Sequence, residues 1–420
     1  MKRARMEYDV RLYNHRNKPK RRFSPRKITL ALVGIVCLSA ALFSIFISPS
    51  GGPVMASRDV SADLEQNVND TLNGIDMGDL DSMVRELDGF NLFGSDSFGQ
   101  RVGRILSGEF QEDYPNMFSA LFALFGSVIL GILPLVVMII AVAILSGFIN
   151  SLKHSESGDG VRNVIHFVTY AAVIILVMYG VGQMITATGR TLGSLQRQMD
   201  VIFPILLTLM VASGAPRGAS VYQPAVAILS NGVMMIFTYI IMPLFIITLT
   251  FSVVGNISST NKFDKFTSFF QSCYKWTLGL VFTIFTAFLT IQGITAGIQD
   301  GISLRAARFT VSSYVPYLGG YLSQGLDLVL ASSILIKNAI GVAALYLMLG
   351  VVLGPLVHII VFSLGLKLAA AVTQPIADER ISNFLTSVNK SMSMLAAIII
   401  GAAFMYFLTI GMIMMTGNVI

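Results

Sequence analysis

Long runs without a charged side chain dominate the chain from residue 118 onward, and one more lies near its N-terminus. The runs are residues 28–47, 118–149, 164–187, 225–255, 276–299, 339–366 and 393–416. A helix needs about 20 predominantly apolar residues to cross the hydrocarbon core of a bilayer. The pattern predicts an all-α, polytopic helical membrane protein with about seven transmembrane helices.

Two shorter apolar stretches, residues 201–212 and 326–336, change the expected number of crossings. Both are too short to span comfortably, and glycine and proline border them. Such segments are re-entrant or broken helices in many membrane proteins. Seven crossings follow if both re-enter and nine if both span, while loss of the N-terminal run lowers the count to as few as six.

A degenerate repeat of about 110 residues is suggested by the dipeptide Pro-Leu, which occurs in each of the three longest runs. Its prolines are Pro134, Pro243 and Pro355, with spacings of 109 and 112 residues. Each copy would hold a proline-broken long helix, a polar loop and a second helix, within residues 116–224, 225–337 and 338–420. The opposing interpretation is that apolar sequences resemble one another by composition alone.

Charge divides the chain into blocks of opposite sign. Residues 1–27 hold eleven Lys/Arg against Glu7 and Asp9, whereas residues 57–115 hold thirteen Asp/Glu against four arginines. Basic residues beside a membrane segment stay in the cytoplasm. We expect a basic cytoplasmic N-terminus, an acidic extracytoplasmic segment at 57–115 and a polytopic domain at 116–420. Because the basic cluster flanks a membrane segment, nucleic acid is not expected as a partner.

The segment between these blocks, residues 28–56, is either a signal peptide or a signal anchor. Its apolar run is long for a signal-peptide core, but Val54-Met55-Ala56 is a small-x-small cleavage pattern. In the acidic segment that follows, apolar residues at helical spacing, such as Val84 and Val102, predict two short amphipathic helices.

The prolines of the dipeptides are the first candidates for function. Proline within a helix removes a backbone hydrogen bond and costs roughly 3 kcal/mol or more. In lipid, the freed carbonyl needs a neighbouring helix or trapped water. Each kink at Pro134, Pro243 and Pro355 is therefore expected to face protein or a polar cavity, or else to be merely structural.

Ionisable residues near the apolar runs are the other candidates, because they are costly in a membrane. Asp327 and Lys337 flank the second short stretch. They could pair across a re-entrant turn or line a water path, or Lys337 could snorkel to the interface. His358, three residues after Pro355, could titrate in water at the kink or be a hydrogen-bonded structural histidine.

The common signatures of catalysis are absent from the sequence. It has no Gly-Lys-Ser/Thr phosphate loop, no Gly-x-Ser-x-Gly elbow and no metal-ligand spacing among its four histidines. Cys37 and Cys273 cannot form a disulfide framework. Overall, 54% of the residues are hydrophobic and 12% are charged, which excludes a water-soluble fold. We expect neither an enzyme nor a bound cofactor or metal.

Three stretches resemble the stage III sporulation protein AE family of endospore-forming bacteria. They read SGAPRGASVYQPAVAILSNG, SLRAARFTVSSYVPYLGGYLSQGLDLVLASSILIKNAIG and LAAAVTQPIADERISNFLTSVNKSM, and the resemblance extends from about residue 57 to the end. It implies a polytopic subunit of an assembly in the mother-cell membrane around the forespore, forming a channel or feeding apparatus. The implied partners are other membrane proteins of the same operon, including a secretion-type ATPase, ring-forming proteins and a forespore membrane protein. The family offers no catalytic residue to carry over.

The sequence therefore predicts a non-enzymatic membrane subunit of a channel complex needed for endospore development. The alternative is a secondary transporter or permease that moves a small solute alone, because internal repeats and broken helices are typical of such proteins. The transported species, the stoichiometry and the part of this chain in any pore are left open by the sequence.

Overall fold

The computed structural model describes a chain in which every regular element is helical. It covers residues 77–86, 96–107, 114–152, 159–257, 263–314, 319–375 and 379–416, with residues 68, 70, 72, 74 and 75 before them. The chain divides into two compact units, residues 1–61 and 62–420, and all described residues belong to the second. The basic N-terminus, the run at 28–47 and its expected cleavage lie outside the described residues.

Ten α-helices and two π-helical turns make up this part of the chain. In order they are α1 (Gly78–Arg85), α2 (Phe98–Ser107), α3 (Tyr114–Leu152), α4 (Asp159–Ala212), α5 (Pro216–Ala227), π1 (Ile228–Val233), α6 (Met234–Ile236), π2 (Phe237–Ile241), α7 (Met242–Ile257), α8 (Asp264–Tyr314), α9 (Gly319–Thr373) and α10 (Glu379–Met415). The elements from α5 to α7 follow one another without a break and form one continuous helical segment.

Six stretches of this part are long and apolar enough to cross a membrane. They are Ser119–Leu145, Phe167–Ala212, Pro216–Gly255, Lys265–Gly293, Asp327–Thr373 and Arg380–Met415. Each contains most of one apolar run predicted from the sequence beyond residue 116. The prediction of an all-α, polytopic helical membrane protein is confirmed.

The two short apolar stretches are not separate elements but parts of longer helices. Residues 201–212 are the last three turns of α4, and residues 326–336 lie in the first third of α9. With 54 and 55 residues, these helices are about 80 Å long at 1.5 Å per residue. The hydrocarbon core measures about 30 Å, so both helices are much longer than one crossing requires. Residues 326–336 continue through α9 without a turn, whereas residues 201–212 end at the turn that precedes α5. Re-entry or spanning at either stretch stays a prediction.

The three Pro-Leu dipeptides lie in the first helices of three successive helical hairpins. Pro134 lies in α3, which is followed by α4; Pro243 lies in α7, followed by α8; and Pro355 lies in α9, followed by α10. This order agrees with the unit inferred from the sequence. The repeat itself stays a prediction.

Helices α9 and α10 form the centre of the bundle. Within their most apolar windows, 56% of the α9 residues and 61% of the α10 residues are buried, against 22% in α3 and in α8. Helix α9 packs against α10, α4 and α3, whereas α10 also packs against α7 and α8. The outer helices present large apolar side chains outward, including Phe122 and Trp276, as lipid-facing helices do.

A close approach of α4, α9 and α3 depends on a single glycine. A Cβ atom at Gly180 would lie 2.7 Å from Cε2 of Phe362 and 2.9 Å from Cδ2 of Leu135. Small residues permit this kind of approach between membrane helices, where packing rather than hydrophobic burial stabilises the contact. Two residues further along α4, a Cβ at Gly182 would meet no atom within 4 Å.

The described part of the acidic segment includes two short helices, α1 and α2, as the amphipathic pattern predicts. Helix α1 buries Leu80 and Val84. Helix α2 begins with a capping box. Ser97 Oγ accepts a hydrogen bond from the backbone amide of Gln100 at 3.2 Å, and Gln100 Oε1 accepts one from the backbone amide of Ser97 at 2.9 Å. Asp81 of α1 accepts a hydrogen bond from the Phe98 amide at 2.6 Å and joins the two helices.

Replacing Gly180 with alanine is expected to destabilise the bundle by about 1–3 kcal/mol, the usual cost of overpacking. The matched Gly182→Ala variant should keep or slightly raise stability, because alanine favours helix and meets open space there. Thermal unfolding of both purified variants in detergent measures the difference. Equal midpoints would contradict the packing described for Gly180.

Candidate functional site

The structure places the three dipeptide prolines at different depths. The side chains of Pro134 and Pro243 are exposed on the outer surface of the chain, and that of Pro355 is half-buried. Within a single chain, the first two prolines therefore face outward rather than toward another helix. Their contribution to a polar path stays a prediction.

Asp327 and Lys337 do not meet. They lie ten positions apart on the same continuous helix, about 15 Å along its axis, so no re-entrant turn brings them together. Asp327 is exposed, whereas Lys337 has 0% of its surface accessible. Within the single chain, the Lys337 side chain is therefore covered by protein, and its snorkelling to the interface stays a prediction.

His358 lies in α9 and is half-buried. Its Nδ1 is 2.9 Å from the carbonyl oxygen of Gly354, one turn earlier in the same helix. This contact corresponds to the structural alternative considered for the residue.

The buried ammonium of Lys337 ties α9 to the C-terminal end of α10. Its Nζ donates a hydrogen bond to the backbone carbonyl of Thr416, the first residue after that helix. Carbonyls at a helix C-terminus have no partner within the helix and carry the negative end of its dipole. A lysine is well suited to this position, because it supplies both a donor and a positive charge.

The same helix end is held by residues of two other helices. The Thr416 hydroxyl donates to the Met412 carbonyl at 2.9 Å and lies 3.3 Å from the hydroxyl of Tyr222 in α5. A Cβ at Gly293 of α8 would overlap the Met412 side chain. Four helices thus converge on one turn, which we name the α10 end cluster: Tyr222, Gly293, Lys337, Met412 and Thr416.

The chemistry of the α10 end cluster is that of a helix cap. It holds one cation, two hydroxyls and backbone carbonyls, and it contains no pair of general acid and base. Among the described residues, no three His, Cys, Asp or Glu side chains stand close enough to hold a metal ion. The arrangement can fix helices against one another, and nothing in it resembles a reaction centre.

A second polar feature, the α4–α5 groove, is one that the sequence predictions missed. It has a volume of about 580 Å³. It opens to the outer surface and includes six polar side chains, Asp200, Thr208, Ser220, Gln223, Ser230 and Asn231. Residues Asp200, Pro204 and Thr208 recur at intervals of four, which places them on one helix face. That spacing was the available signal in the sequence.

The groove exists because α4 turns sharply into α5. Gly214 has φ of 84°, and the amides of Gly214 and Ala215 donate to the carbonyls of Val211 and Met210 at 3.0 and 3.1 Å. This is a Schellman motif, whose left-handed position favours glycine. Pro216 then begins α5 at the position where a missing amide hydrogen is harmless.

One groove wall also departs from α-helical geometry. The π1 turn contains Ser230 and Asn231, and π2 ends two residues before Pro243. A π turn widens the helix locally and is frequent at functional positions. The exposed Asn231 side chain therefore belongs to an irregular surface rather than to a uniform lipid-facing helix.

Replacing Lys337 with methionine is expected to release the last turn of α10. Without the donor, the Thr416 carbonyl loses its partner, and amide exchange at residues 412–416 should accelerate about tenfold, as follows from a lost charged hydrogen bond of about 1.5 kcal/mol or more. Hydrogen–deuterium exchange with mass spectrometry measures this locally. Lys367→Met, at an exposed position of the same helix, is the matched control, and unchanged protection in the Lys337 variant would refute the capping role.

Comparisons with known proteins identify one family. The family model described as stage III sporulation protein AE matches residues 97–417. Stage III sporulation protein AE of Bacillus subtilis (strain 168) is 26% identical over 267 residues, which cover 64% of this chain and 67% of that protein. No solved structure matches. The match of the family model over most of the chain shows that this helical membrane protein belongs to the stage III sporulation protein AE family, which implies a role in sporulation.

Proposed function

We propose that this protein is a non-enzymatic integral-membrane subunit of the channel or feeding complex that joins the mother cell to the forespore. Family membership supports the developmental context. The packing supports a structural role, because the buried Lys337 and Tyr274 each bond to a backbone carbonyl at or near helix α10. Tyr274 of α8, for example, donates to the Met394 carbonyl of α10 at 2.6 Å.

The observation that carries the proposal is the outward polar surface of the α4–α5 groove. Polar side chains that face lipid are costly and are usually covered by another helix. Asp200, Gln223 and Asn231 are all exposed in the single chain. A subunit that packs against other membrane helices would cover them, whereas a transporter working alone would need its polar groups around a solute site within the bundle.

The proposed topology places the N-terminus in the cytoplasm of the mother cell and residues 57–115 in the intermembrane space. The polar segments near residues 150–163, 256–275 and 367–392 would face the cytoplasm. Helices α1 and α2 would then be available to ring-forming proteins between the two membranes. Energy for transport would come from a separate secretion-type ATPase.

Affinity purification of the tagged chain from sporulating cells tests the proposal. The other membrane proteins of the operon, the ATPase and the forespore partner should be recovered with it. Failure to recover any of them, together with binding of a small solute by the isolated chain, would favour the stand-alone transporter.

A pair of glutamines tests the groove itself. Gln223→Leu should lower recovery of the membrane partners about threefold or more, the effect of losing one interhelical hydrogen bond in a membrane. Gln183→Leu, an equally exposed change in α4 that does not line the groove, should leave recovery unchanged. Equal recovery with both variants would remove the groove as a contact surface.

A further inference from the structure

A cavity distinct from the α4–α5 groove lies where the acidic segment meets α4. It has a volume of about 730 Å³ and is open at one side. We call it the α1–α4 cavity. Its walls come from the end of α1, one face of α4 and a single residue of α9, and they comprise Met83, Glu86, Arg190, Gly193, Ser194, Arg197, Gln198 and Val351.

The α4 wall repeats polar side chains at helical spacing. Arg190, Ser194 and Arg197 are separated by four and three positions, which directs them to the same side of the helix. Between them, a Cβ at Gly193 would meet no atom within 4 Å. The absence of a side chain there leaves room for a ligand beside the two guanidinium groups.

The charge within the cavity is not balanced. Arg197 contacts Glu86 at 3.5 Å, but the side chains of both residues are more than half exposed, and such an ion pair is weak in water. Arg197 also donates to the Ser194 hydroxyl at 3.2 Å. Arg190 forms no ion pair with any described residue, so two guanidinium groups face one carboxylate.

A buried side-chain amide, that of Gln198, also points to ligand binding in this cavity. Gln198 is 1% exposed, and its Oε1 accepts no hydrogen bond. Buried polar groups are normally satisfied by protein, water or ligand. A hydroxyl group could donate to this oxygen, and with the amide turned over its nitrogen could donate to an anion instead.

The position of the cavity along α4 points to the chemistry of the ligand. The uncharged run of this helix ends at residue 187, and Arg190 follows within one turn. Basic side chains directly after an apolar span lie at the depth of lipid headgroups. Guanidinium groups bind phosphate oxygens through two parallel hydrogen bonds and remain charged at all physiological pH values.

We propose that the α1–α4 cavity is a binding site for a phosphate-bearing anion, held by Arg190 and Arg197 and completed by Ser194 and Gln198. A phospholipid headgroup and a free phosphate share this chemistry. Because the cavity includes a residue of α1, an occupant would also hold the acidic segment against α4.

Binding of fluorescent phosphatidylglycerol to the purified full chain in detergent micelles tests the site. The Arg190→Gln, Arg197→Gln double variant should bind it about tenfold or more weakly, because charge-assisted hydrogen bonds are lost. Arg217→Gln removes an exposed arginine of α5 outside the cavity and should change binding less than twofold. The Arg190→Gln single variant tests the site if the double variant does not fold. Arg190 forms no ion pair with a described residue, so its replacement should not disturb the structure.

Competition with inorganic phosphate distinguishes a phospholipid headgroup from a free phosphate as the ligand. If excess inorganic phosphate does not displace phosphatidylglycerol, the ligand is a lipid headgroup. If phosphate displaces the lipid and raises the thermal midpoint of the wild type but not of the double variant, the ligand is a free anion. Both results support the site. Equal binding of phosphatidylcholine and phosphatidylglycerol, or equal binding by the double variant and the Arg217 control, overturns it.

A change at Gln198 separates ligand binding from structural support. Gln198→Leu removes the unsatisfied amide and should raise the thermal midpoint of the lipid-free chain. The additional stabilisation by phosphatidylglycerol should be smaller than in the wild type. A lower midpoint with unchanged lipid stabilisation would show that the amide serves the fold alone.

Discussion

The antiparallel contact between α9 and α10 is the constraint on which the rest of the bundle depends. Lipid is as apolar as leucine, so helices in a membrane associate through close packing and hydrogen bonds rather than through the hydrophobic effect. This pair uses both. Lys337 bonds to Thr416, Ser363 bonds to Asn389, and a Cβ at Gly341 would lie 2.6 Å from the sulfur of Met414.

The other helices are arranged around this pair by similar means. Tyr274 ties α8 to α10, and Gly180 lets α4 approach Phe362 of α9. Helix α2 also contacts α9, where the Arg101 guanidinium lies 5.9 Å from the ring centre of Tyr346. A cation over an aromatic face is attracted by the ring quadrupole. The acidic segment is therefore joined to the core and is more than a solvated tail.

The sequence predicts the helices well and their ends less well. Uncharged runs reveal membrane spans because side chains that face lipid are predominantly apolar. The helical spacing of apolar residues in the acidic segment reveals α1 and α2, because each helix buries one apolar face. Residues 201–212 belong to a longer helix, because a helix need not end where its apolar run ends. Helix α4 continues through Arg190 and Arg197, which are good helix formers, although these residues are unsuited to lipid.

Side-chain partners were harder to predict than helices. Lys337 is an obvious candidate as an ionisable residue, but its partner is a backbone carbonyl 79 positions away, and nothing in the local sequence identifies it. The capping box of α2 is different, since Ser97 and Gln100 are three residues apart and can be recognised directly. Local hydrogen bonds follow from spacing, whereas contacts between distant helices depend on packing that one sequence does not specify.

The two π turns between α5 and α7 have a geometric consequence for the whole bundle. Each π turn accommodates one more residue than an α turn, and each additional residue rotates the faces that follow by about 100°. The direction in which Gln223 points relative to Phe245 is thus determined by how many such insertions lie between them. Single-residue deletions in Ile228–Val233 or Phe237–Ile241 would reorient the groove without breaking the helix, so relatives that differ in length here would present different surfaces to their neighbours.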